Sequence, residues 1–204
     1  MKVKICGIKT LEIAQEVVSA GADFMGFIFF PKSKRYILPQ QAAKICLAVT
    51  GSNCARVGVF VNEDIQTVNA AADLCQLDYV QLHGSEDEAY ARKIERPVIK
   101  AFRWGNDFQV ERANAYPAEI ILLDSFSKDL PGGTGQTFAW HEAAKETQKL
   151  TKPLLLAGGI KSSNFRQAED LFHPFGIDVS GGLETHGEKS VQKICEFMMA
   201  VRRE

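Results

Sequence analysis

Residues 120–124 read Ile-Ile-Leu-Leu-Asp, a short apolar run that stops abruptly at a carboxylate. A stretch with helical periodicity follows it, and the same pair of patterns recurs along the whole chain. Strands that alternate with helices in this way indicate parallel βαβ units. The eight apolar runs are Val3–Cys6, Phe24–Phe29, Arg56–Val61, Tyr79–His83, Val98–Phe102, Ile120–Asp124, Leu154–Gly158 and Gly176–Ser180.

Eight strand–helix units can close into a (β/α)8 barrel, the TIM-barrel fold. The chain has 204 residues, which is short for a fold that typically takes about 250. We therefore predict an α/β protein with one barrel domain over residues 1–204, whose chemistry lies where the strands end. The predicted helices are Thr10–Ala20, Pro39–Val49, Asp64–Cys75, Glu86–Ile94, Phe108–Ala115, Phe138–Thr147, Ser162–Leu171 and Glu188–Arg203.

Three of these helices begin with recognisable signals. Pro39 suits a first helical turn, Asn62 or Asp64 can cap the third helix, and Ser162 or Ser163 can cap the seventh. Two connections are longer than the others. They are Pro31–Leu38, after strand 2, and Ser125–Thr137, after strand 6, whose Gly132–Gly135 segment is a turn or a lid that excludes water.

Composition narrows the function classes. A net charge of −1 gives no general attraction for nucleic acid or for an anionic membrane. The five cysteines are an odd number and include no Cys-x-x-Cys pair, which argues against a disulfide framework and against zinc. We expect a reducing, cytoplasmic setting, since no signal peptide is visible. No metal and no cofactor are expected, because no residue cluster resembles a metal site and no dinucleotide fingerprint is present.

Alternation along the strands predicts a buried ion pair. In strand 1, Lys4 and Cys6 share a face, and in strand 8 Asp178 and Ser180 do. Barrel closure makes strands 1 and 8 neighbours, and a buried charge needs a partner. We predict that Lys4 pairs with Asp178 inside the barrel, one layer below the strand ends. The alternative is a shifted strand 1 that turns Lys4 outward.

Cys6 and Asp124 are the candidate catalytic residues, because both end a strand. A free cysteine is more often a small buried hydrophobic residue, and an aspartate after a strand is often a loop cap. At a barrel mouth, however, a nearby cation can stabilise a thiolate, and a partly apolar setting can keep a carboxyl protonated as a general acid.

The loops after the last two strands predict an anion site. Gly158-Gly159 follows strand 7 and Ser180-Gly181 follows strand 8. Glycines let backbone N–H groups approach an anion, and this is the usual phosphate position in barrel enzymes.

Across the mouth, Arg35 in a basic loop can bind a substrate carboxylate or lie solvated. His83, after strand 4, is a substrate-binding residue or a structural histidine.

The motifs together resemble the phosphoribosylanthranilate isomerase family over nearly the whole chain. The matching segments are Lys4–Gly7, Phe24–Phe29 with Ser33–Arg35, Arg56–Asn62, Val80–Gly84, Leu122–Asp124, Gly132–Gly135 with Phe138 and Trp140, Leu156–Gly159 and Asp178–Ser180. The resemblance implies a cofactor-free Amadori rearrangement in tryptophan biosynthesis.

The resemblance also implies roles for individual residues. Asp124 would be the general acid that opens the furanose ring, and Cys6 the general base that takes the C2′ proton. Arg35 would bind the anthranilate carboxylate, with His83 near the substrate. The phosphate would lie on the backbone of the two loops, at Gly158, Gly159, Ser180 and Gly181.

The chain departs from the family's common pattern twice. Gly181 stands where a second serine is common, and Ser190 stands where an aspartate is common, at the start of the last helix. One alternative is another phosphosugar barrel enzyme: an isomerase of histidine biosynthesis, whose relatives have Asp where this chain has Cys6, or an indole-glycerol-phosphate synthase, which relies on a catalytic lysine. The others are a phosphosugar-binding barrel without turnover and a redox-responsive protein built on Cys6. The only partner expected is the small-molecule phosphoribosyl-anthranilate substrate, and a monomer is expected rather than a homodimer.

Overall fold

The computed structural model describes residues 1–105, 108–124 and 135–203. Its main sheet has strands β1 (Lys2–Cys6), β2 (Phe24–Ile28), β3 (Ala55–Phe60), β4 (Tyr79–Leu82), β5 (Val98–Arg103), β6 (Ile120–Asp124), β7 (Leu154–Ala157) and β8 (Gly176–Val179). The strands pair in parallel in chain order, and β8 pairs with β1, so the sheet is a closed barrel. The predicted fold is confirmed, and each predicted strand agrees within one residue at both ends.

A helix follows each strand. The helices are α1 (Leu11–Ser19), α2 (Pro39–Ala48), α3 (Ile65–Leu74), α4 (Glu88–Ala91), α5 (Val110–Ala115), α6 (Gly135–Thr147), α7 (Phe165–Phe172) and α8 (Val191–Arg202). Pro39 begins α2 as predicted, where its missing N–H costs nothing. Asp64 caps α3 by accepting a hydrogen bond from the Thr67 N–H at 3.0 Å. Asn62, the other predicted cap, instead accepts a hydrogen bond from the Ser85 N–H.

Helix α4 is much shorter than predicted, because its first predicted residue is used elsewhere. The Glu86 side chain is buried and lies 2.8 Å from the Nζ atom of Lys100, which is also buried. Glu86 also accepts hydrogen bonds from the N–H groups of Asn62 and Gly84. A buried ion pair with these extra bonds fixes the loop after β4. Asp87 then caps the four-residue helix.

The prediction that the last helix begins at Glu188 was wrong. Residues Glu184–Thr185 (β9) and Glu188–Lys189 (β10) form a small antiparallel hairpin before α8. His186 and Gly187 connect its two strands with φ angles of 52° and 86°. Two successive residues at positive φ are what a tight two-residue hairpin turn requires. Ser190 then caps α8 by accepting from the Lys193 N–H.

The cap predicted for α7 was also wrong. The helix begins at Phe165, after Asn164, and neither Ser162 nor Ser163 precedes it directly. The Asn164 amide accepts from the Lys161 N–H at 2.8 Å and donates to the Gly159 carbonyl at 3.0 Å. These bonds close the loop after β7 upon itself, so this side chain shapes the loop and does not cap the helix.

The buried side chains form two layers. A large cluster lies between the sheet and the helices. The barrel interior is filled by Phe24, Val57, Ile99, Ala101, Ile120, Leu122, Leu155 and Ala157. Lys4 pairs in register with Phe24, and Gln81 with Ile99, so both polar residues share this inner face. Within the described residues, no helix is long and apolar enough to cross a bilayer.

Candidate active site

The predicted site residues gather at one end of the barrel. Cys6 is the last residue of β1 and Asp124 the last of β6, while His83 directly follows β4. Ser180 directly follows β8, and the Gly158–Gly159 pair directly follows β7. Because parallel strands in a barrel all end on the same side, these groups surround one opening. The loop after β2 carries Arg35 to the same side.

Lys4 and Asp178 form the predicted ion pair. They are directly paired in the β1–β8 register, and Lys4 Nζ lies 3.1 Å from Asp178 Oδ1. The Lys4 side chain is completely buried. Burial alone would lower the pKa of Lys4. The Asp178 carboxylate and the Cys6 sulfur raise it, and their combined effect exceeds that of burial, so the net shift is upward. Lys4 therefore carries its positive charge beneath the opening.

Cys6 is buried, with 5% of its surface exposed. Burial raises the pKa of the Cys6 thiol above its ordinary value, although the nearby Lys4 ammonium acts to lower it. The expectation that a cation would favour the thiolate is therefore only partly met, because desolvation outweighs the cation. A Cβ atom at Gly26 would lie 2.7 Å from Cys6 Sγ and 3.1 Å from Lys4 Nζ. Only glycine leaves room there for both groups.

Asp124 faces His83 across the opening. Oδ2 of Asp124 lies 3.8 Å from Nε2 of His83, and both side chains are about one-quarter exposed, at 28% and 25%. The backbone carbonyl of Asp124 accepts a hydrogen bond from the Trp104 N–H at 2.9 Å, which holds the end of β6 against the chain leaving β5. At this distance a small movement would bring the imidazole nitrogen within hydrogen-bond reach of the carboxylate.

Arg35 lies beside the loop after β8 and not across the mouth from it. Its guanidinium donates to both carboxylate oxygens of Glu184, through Nε and Nη2. Lys189 Nζ lies 2.9 Å from the same carboxylate. A Cβ atom at Gly181 would lie 3.3 Å from Arg35 Nη2. The expectation that Arg35 would lie across the mouth from this loop was therefore wrong, because its guanidinium pairs with Glu184, which follows the loop that carries Gly181.

The two predicted anion-binding loops pack closely together. Gly158 and Gly159 have φ angles of 92° and 71°, which a side chain would strain. Successive residues of this kind can turn their N–H groups toward a common anion. A Cβ atom at Gly182 would lie 2.3 Å from the Ile160 carbonyl oxygen, so glycine is needed for the loops to meet. The Ser180 hydroxyl donates to the Cys6 carbonyl at 2.9 Å and joins this loop to β1.

Sequence reasoning missed Glu184 and Lys189. The first was assigned to a connection, and the second to a predicted helix. The His186-Gly187 dipeptide between two short charged segments is a hairpin signal that could have placed both on one small ribbon. The Gly132–Gly135 segment, interpreted from the sequence as a turn or a lid, lies outside the described residues except for Gly135, which begins α6. Among the described residues, no group of His, Cys, Asp or Glu side chains is arranged to hold a metal ion.

Comparison with known proteins gives one consistent answer. A family model described as N-(5'phosphoribosyl)anthranilate (PRA) isomerase matches residues 3–200. An N-(5'-phosphoribosyl)anthranilate isomerase of Bacillus cereus is 39% identical over 99% of this chain and 98% of its own length. That of Desulforudis audaxviator is 43% identical over 98% of this chain and 97% of its own length.

Solved structures agree with the sequence relatives. The crystal structure of phosphoribosyl anthranilate isomerase from Thermotoga maritima is 41% identical, with a TM-score of 0.88 over 99% of this chain and 98% of that one. A complex of such an isomerase with reduced 1-(o-carboxyphenylamino)-1-deoxyribulose 5-phosphate is 39% identical, with a TM-score of 0.85 over the same shares of the two chains. The closed barrel and the whole-length match together show that this chain belongs to the N-(5'-phosphoribosyl)anthranilate isomerase family.

Proposed function

We propose that this chain is a single-domain isomerase that converts N-(5'-phosphoribosyl)anthranilate to 1-(2-carboxyphenylamino)-1-deoxyribulose 5-phosphate in tryptophan biosynthesis. Asp124 acts as the general acid and Cys6 as the general base. The observation that carries the proposal is that these two side chains end strands β6 and β1 of the same closed barrel. The name of the family and the product-like ligand of one relative support the choice of substrate.

The reaction begins at the carboxyl group of Asp124. Its proton passes to the furanose ring oxygen, the bond from C1′ to that oxygen breaks, and the nitrogen lone pair forms a Schiff base. The Cys6 thiolate then takes the proton from C2′, and the released electron pair forms an enolamine. The C2′ hydroxyl then loses its proton and C1′ gains one, which gives the ketose. Each step needs a group placed within hydrogen-bond reach of the moving proton.

Cys6 must lose its own proton before it can act as a base. Burial disfavours the thiolate, while the ammonium groups of Lys4 and Lys189 favour it. The Asp178 carboxylate keeps Lys4 charged although Lys4 is buried, so a positive charge remains beside the Cys6 sulfur. The buried ion pair therefore supports the base role, because it lowers the cost of placing a negative charge on the sulfur.

The substrate carries a carboxylate and a phosphate. We propose that the backbone of Gly158, Gly159, Ser180 and Gly181 binds the phosphate. Arg35 binds the anthranilate carboxylate through Nη1, the guanidinium nitrogen that Glu184 does not contact. His83 contacts the substrate beside Asp124. Anchoring both anions fixes the ribose over the acid and the base, which is catalysis by positioning.

The test is a fluorescence assay in which the substrate is made in place from anthranilate and phosphoribosyl pyrophosphate. We expect Cys6→Ser and Asp124→Asn each to lower kcat by roughly 10²–10⁴ without loss of the fold. Cys195→Ser and Asp73→Asn, at exposed or half-buried helical sites, are the matched controls and should keep wild-type turnover. Near-normal turnover by either site variant would refute the role assigned to that residue.

We also propose that the protein is a monomer of the cytoplasm. Its exposed large apolar side chains belong to different elements, for example Leu47 on α2 and Met199 on α8. All five cysteines are free, which suits a reducing compartment. A relative from Thermotoga maritima is dimeric. Sedimentation at several concentrations decides the point, since a dimer would sediment at about twice the monomer mass.

A further inference from the structure

Gln81 is a buried polar residue of the barrel interior that the mechanism above does not use. Only 1% of its surface is exposed, and it lies on β4 two residues before His83. Its Nε2 atom lies 2.9 Å from Nδ1 of His83. An amide placed at hydrogen-bond distance from an imidazole nitrogen decides what that nitrogen can do, because an amide NH2 group can only donate.

The contact selects one tautomer of His83. Since Gln81 donates, Nδ1 must accept and carries no proton, so a neutral His83 has its single proton on Nε2. That nitrogen is the one that faces Asp124, at 3.8 Å from Oδ2. Gln81 therefore donates to Nδ1 on one side of the imidazole, and the N–H group at Nε2 on the other side faces the carboxyl group of Asp124.

The opposite orientation of the amide would reverse this line. With Oε1 toward His83, Nδ1 would need the proton, and a bare Nε2 lone pair would face Asp124. In the observed orientation the buried Oε1 atom of Gln81 has no hydrogen-bond partner among the described residues. Turning the amide would leave its NH2 group in that place, and a buried donor without a partner is rarer than a buried carbonyl in the same position.

We propose that Gln81 is a positioning residue that fixes His83 in the tautomer with a proton on Nε2, so that this proton stabilises Asp124 as it becomes a carboxylate. The proposal rests on the role of Asp124 given above. When Asp124 has donated its proton to the ring oxygen, negative charge appears on its oxygens. A donor already oriented toward that charge favours the step, and the 3.8 Å gap can shorten as the charge forms.

The first test reads the tautomer directly. Nitrogen-15 spectra of the four histidine side chains, with His83→Asn used for assignment, show which ring nitrogen carries the proton. We expect a proton on Nε2 of His83 and none on Nδ1 in the wild type. A proton on Nδ1 would overturn the proposal. This measurement needs no substrate, so its result tests the tautomer of His83 independently of the proposed reaction.

The second test is Gln81→Met, which keeps the length of the side chain and removes the donor. We expect mixed tautomers at His83 and a kcat lowered by about tenfold, with KM within about twofold of wild type. Gln41→Met, on an exposed turn of α2, is the control and should change neither. Wild-type kcat with an unchanged tautomer in Gln81→Met would refute the proposal.

A double variant separates positioning from simple packing in the barrel interior. If Gln81 acts through His83, then adding Gln81→Met to His83→Asn should change kcat by less than about twofold, because the intermediary is already gone. If Gln81 only fills space, its full effect on kcat should persist in the double variant. That second result would overturn the proposal even if the single variants lose activity.

Discussion

Arg35 donates to both carboxylate oxygens of Glu184, and Lys189 approaches the same carboxylate from β10. Burial alone would raise the pKa of Glu184, but the hydrogen bonds from Arg35 and Lys189 lower it to about 2. Glu184 is therefore ionised at any working pH. Its pairing uses the Nε–Nη2 edge of the guanidinium, so Glu184 fixes the orientation of Arg35 and leaves Nη1 for the proposed contact with the substrate carboxylate.

Replacing Glu184 by glutamine should weaken substrate binding without slowing the chemistry. The amide cannot form the paired ionic contact, so Arg35 loses its fixed orientation. We expect KM to rise by about three- to tenfold, with kcat within about twofold of wild type. Glu188→Gln, which changes an exposed carboxylate of the same hairpin, is the control in steady-state kinetics and should leave KM and kcat unchanged. A Glu184→Gln enzyme with lowered kcat and unchanged KM would contradict this positioning role.

Adding one methyl group at Gly26 should displace the catalytic sulfur. The new Cβ would lie 2.7 Å from Cys6 Sγ, a contact that requires movement of the thiol. A shift of this size at a reacting group can cost up to about 10²-fold in rate, so we expect kcat of Gly26→Ala to fall by at least about tenfold. Gly105→Ala, where no atom of the described residues lies within 4 Å of the new Cβ, should behave as wild type. Turnover within about twofold of wild type would show that the sulfur position is not critical.

Lys4→Met should destabilise the fold strongly. The change leaves the Asp178 carboxylate without its partner in the barrel interior, and breaking a buried pair in this way costs about 3–5 kcal/mol. Lys2→Met is the matched control, since Lys2 is on the same strand and pairs with Asp23 while half-exposed. Exposed pairs contribute about 0–1 kcal/mol. Urea unfolding measures both, and equal losses in the two variants would contradict a special role for the interior pair.

The Cys6 thiol should titrate above its ordinary pKa. Burial penalises the charged form, so in the enzyme without substrate the thiolate forms only at a pH above that at which an ordinary cysteine ionises. The ultraviolet absorbance of the thiolate, taken as the difference between wild type and Cys6→Ser, follows this titration. In Lys4→Met the titration should move to still higher pH, because a charge that favours the thiolate is lost. A thiolate already present at pH 7 would contradict the effect of burial.

The sequence predicted the strands well because each one is a short apolar run with a sharp polar end. Alternation along β1 and β8 was also enough to predict the Lys4–Asp178 contact, since barrel closure brings the first and last strands together. Both features follow from local patterns combined with one global rule, namely that the strands pair in chain order.

The remaining features depend on groups that are distant in the chain. Arg35 and Glu184 are 149 positions apart, and nothing near either residue announces the pairing. Glu86 stands at the start of a segment with helical periodicity, but its side chain pairs with Lys100 on the next strand. The ionisation of Cys6 is a balance between desolvation and two cations, and a sequence lists the charges without their distances.

The contact between the first strand and the last also sets the order of events during synthesis. Lys4 and Asp178 are 174 positions apart, so at a translation rate of about 5–20 residues per second the lysine waits roughly 10–35 s for its partner. During that time its ammonium stays hydrated, and β1 has no neighbour on one side. A nascent or prematurely terminated chain that lacks β8 therefore exposes an unpaired strand edge at its N-terminal end, where chaperones or other nascent chains can bind.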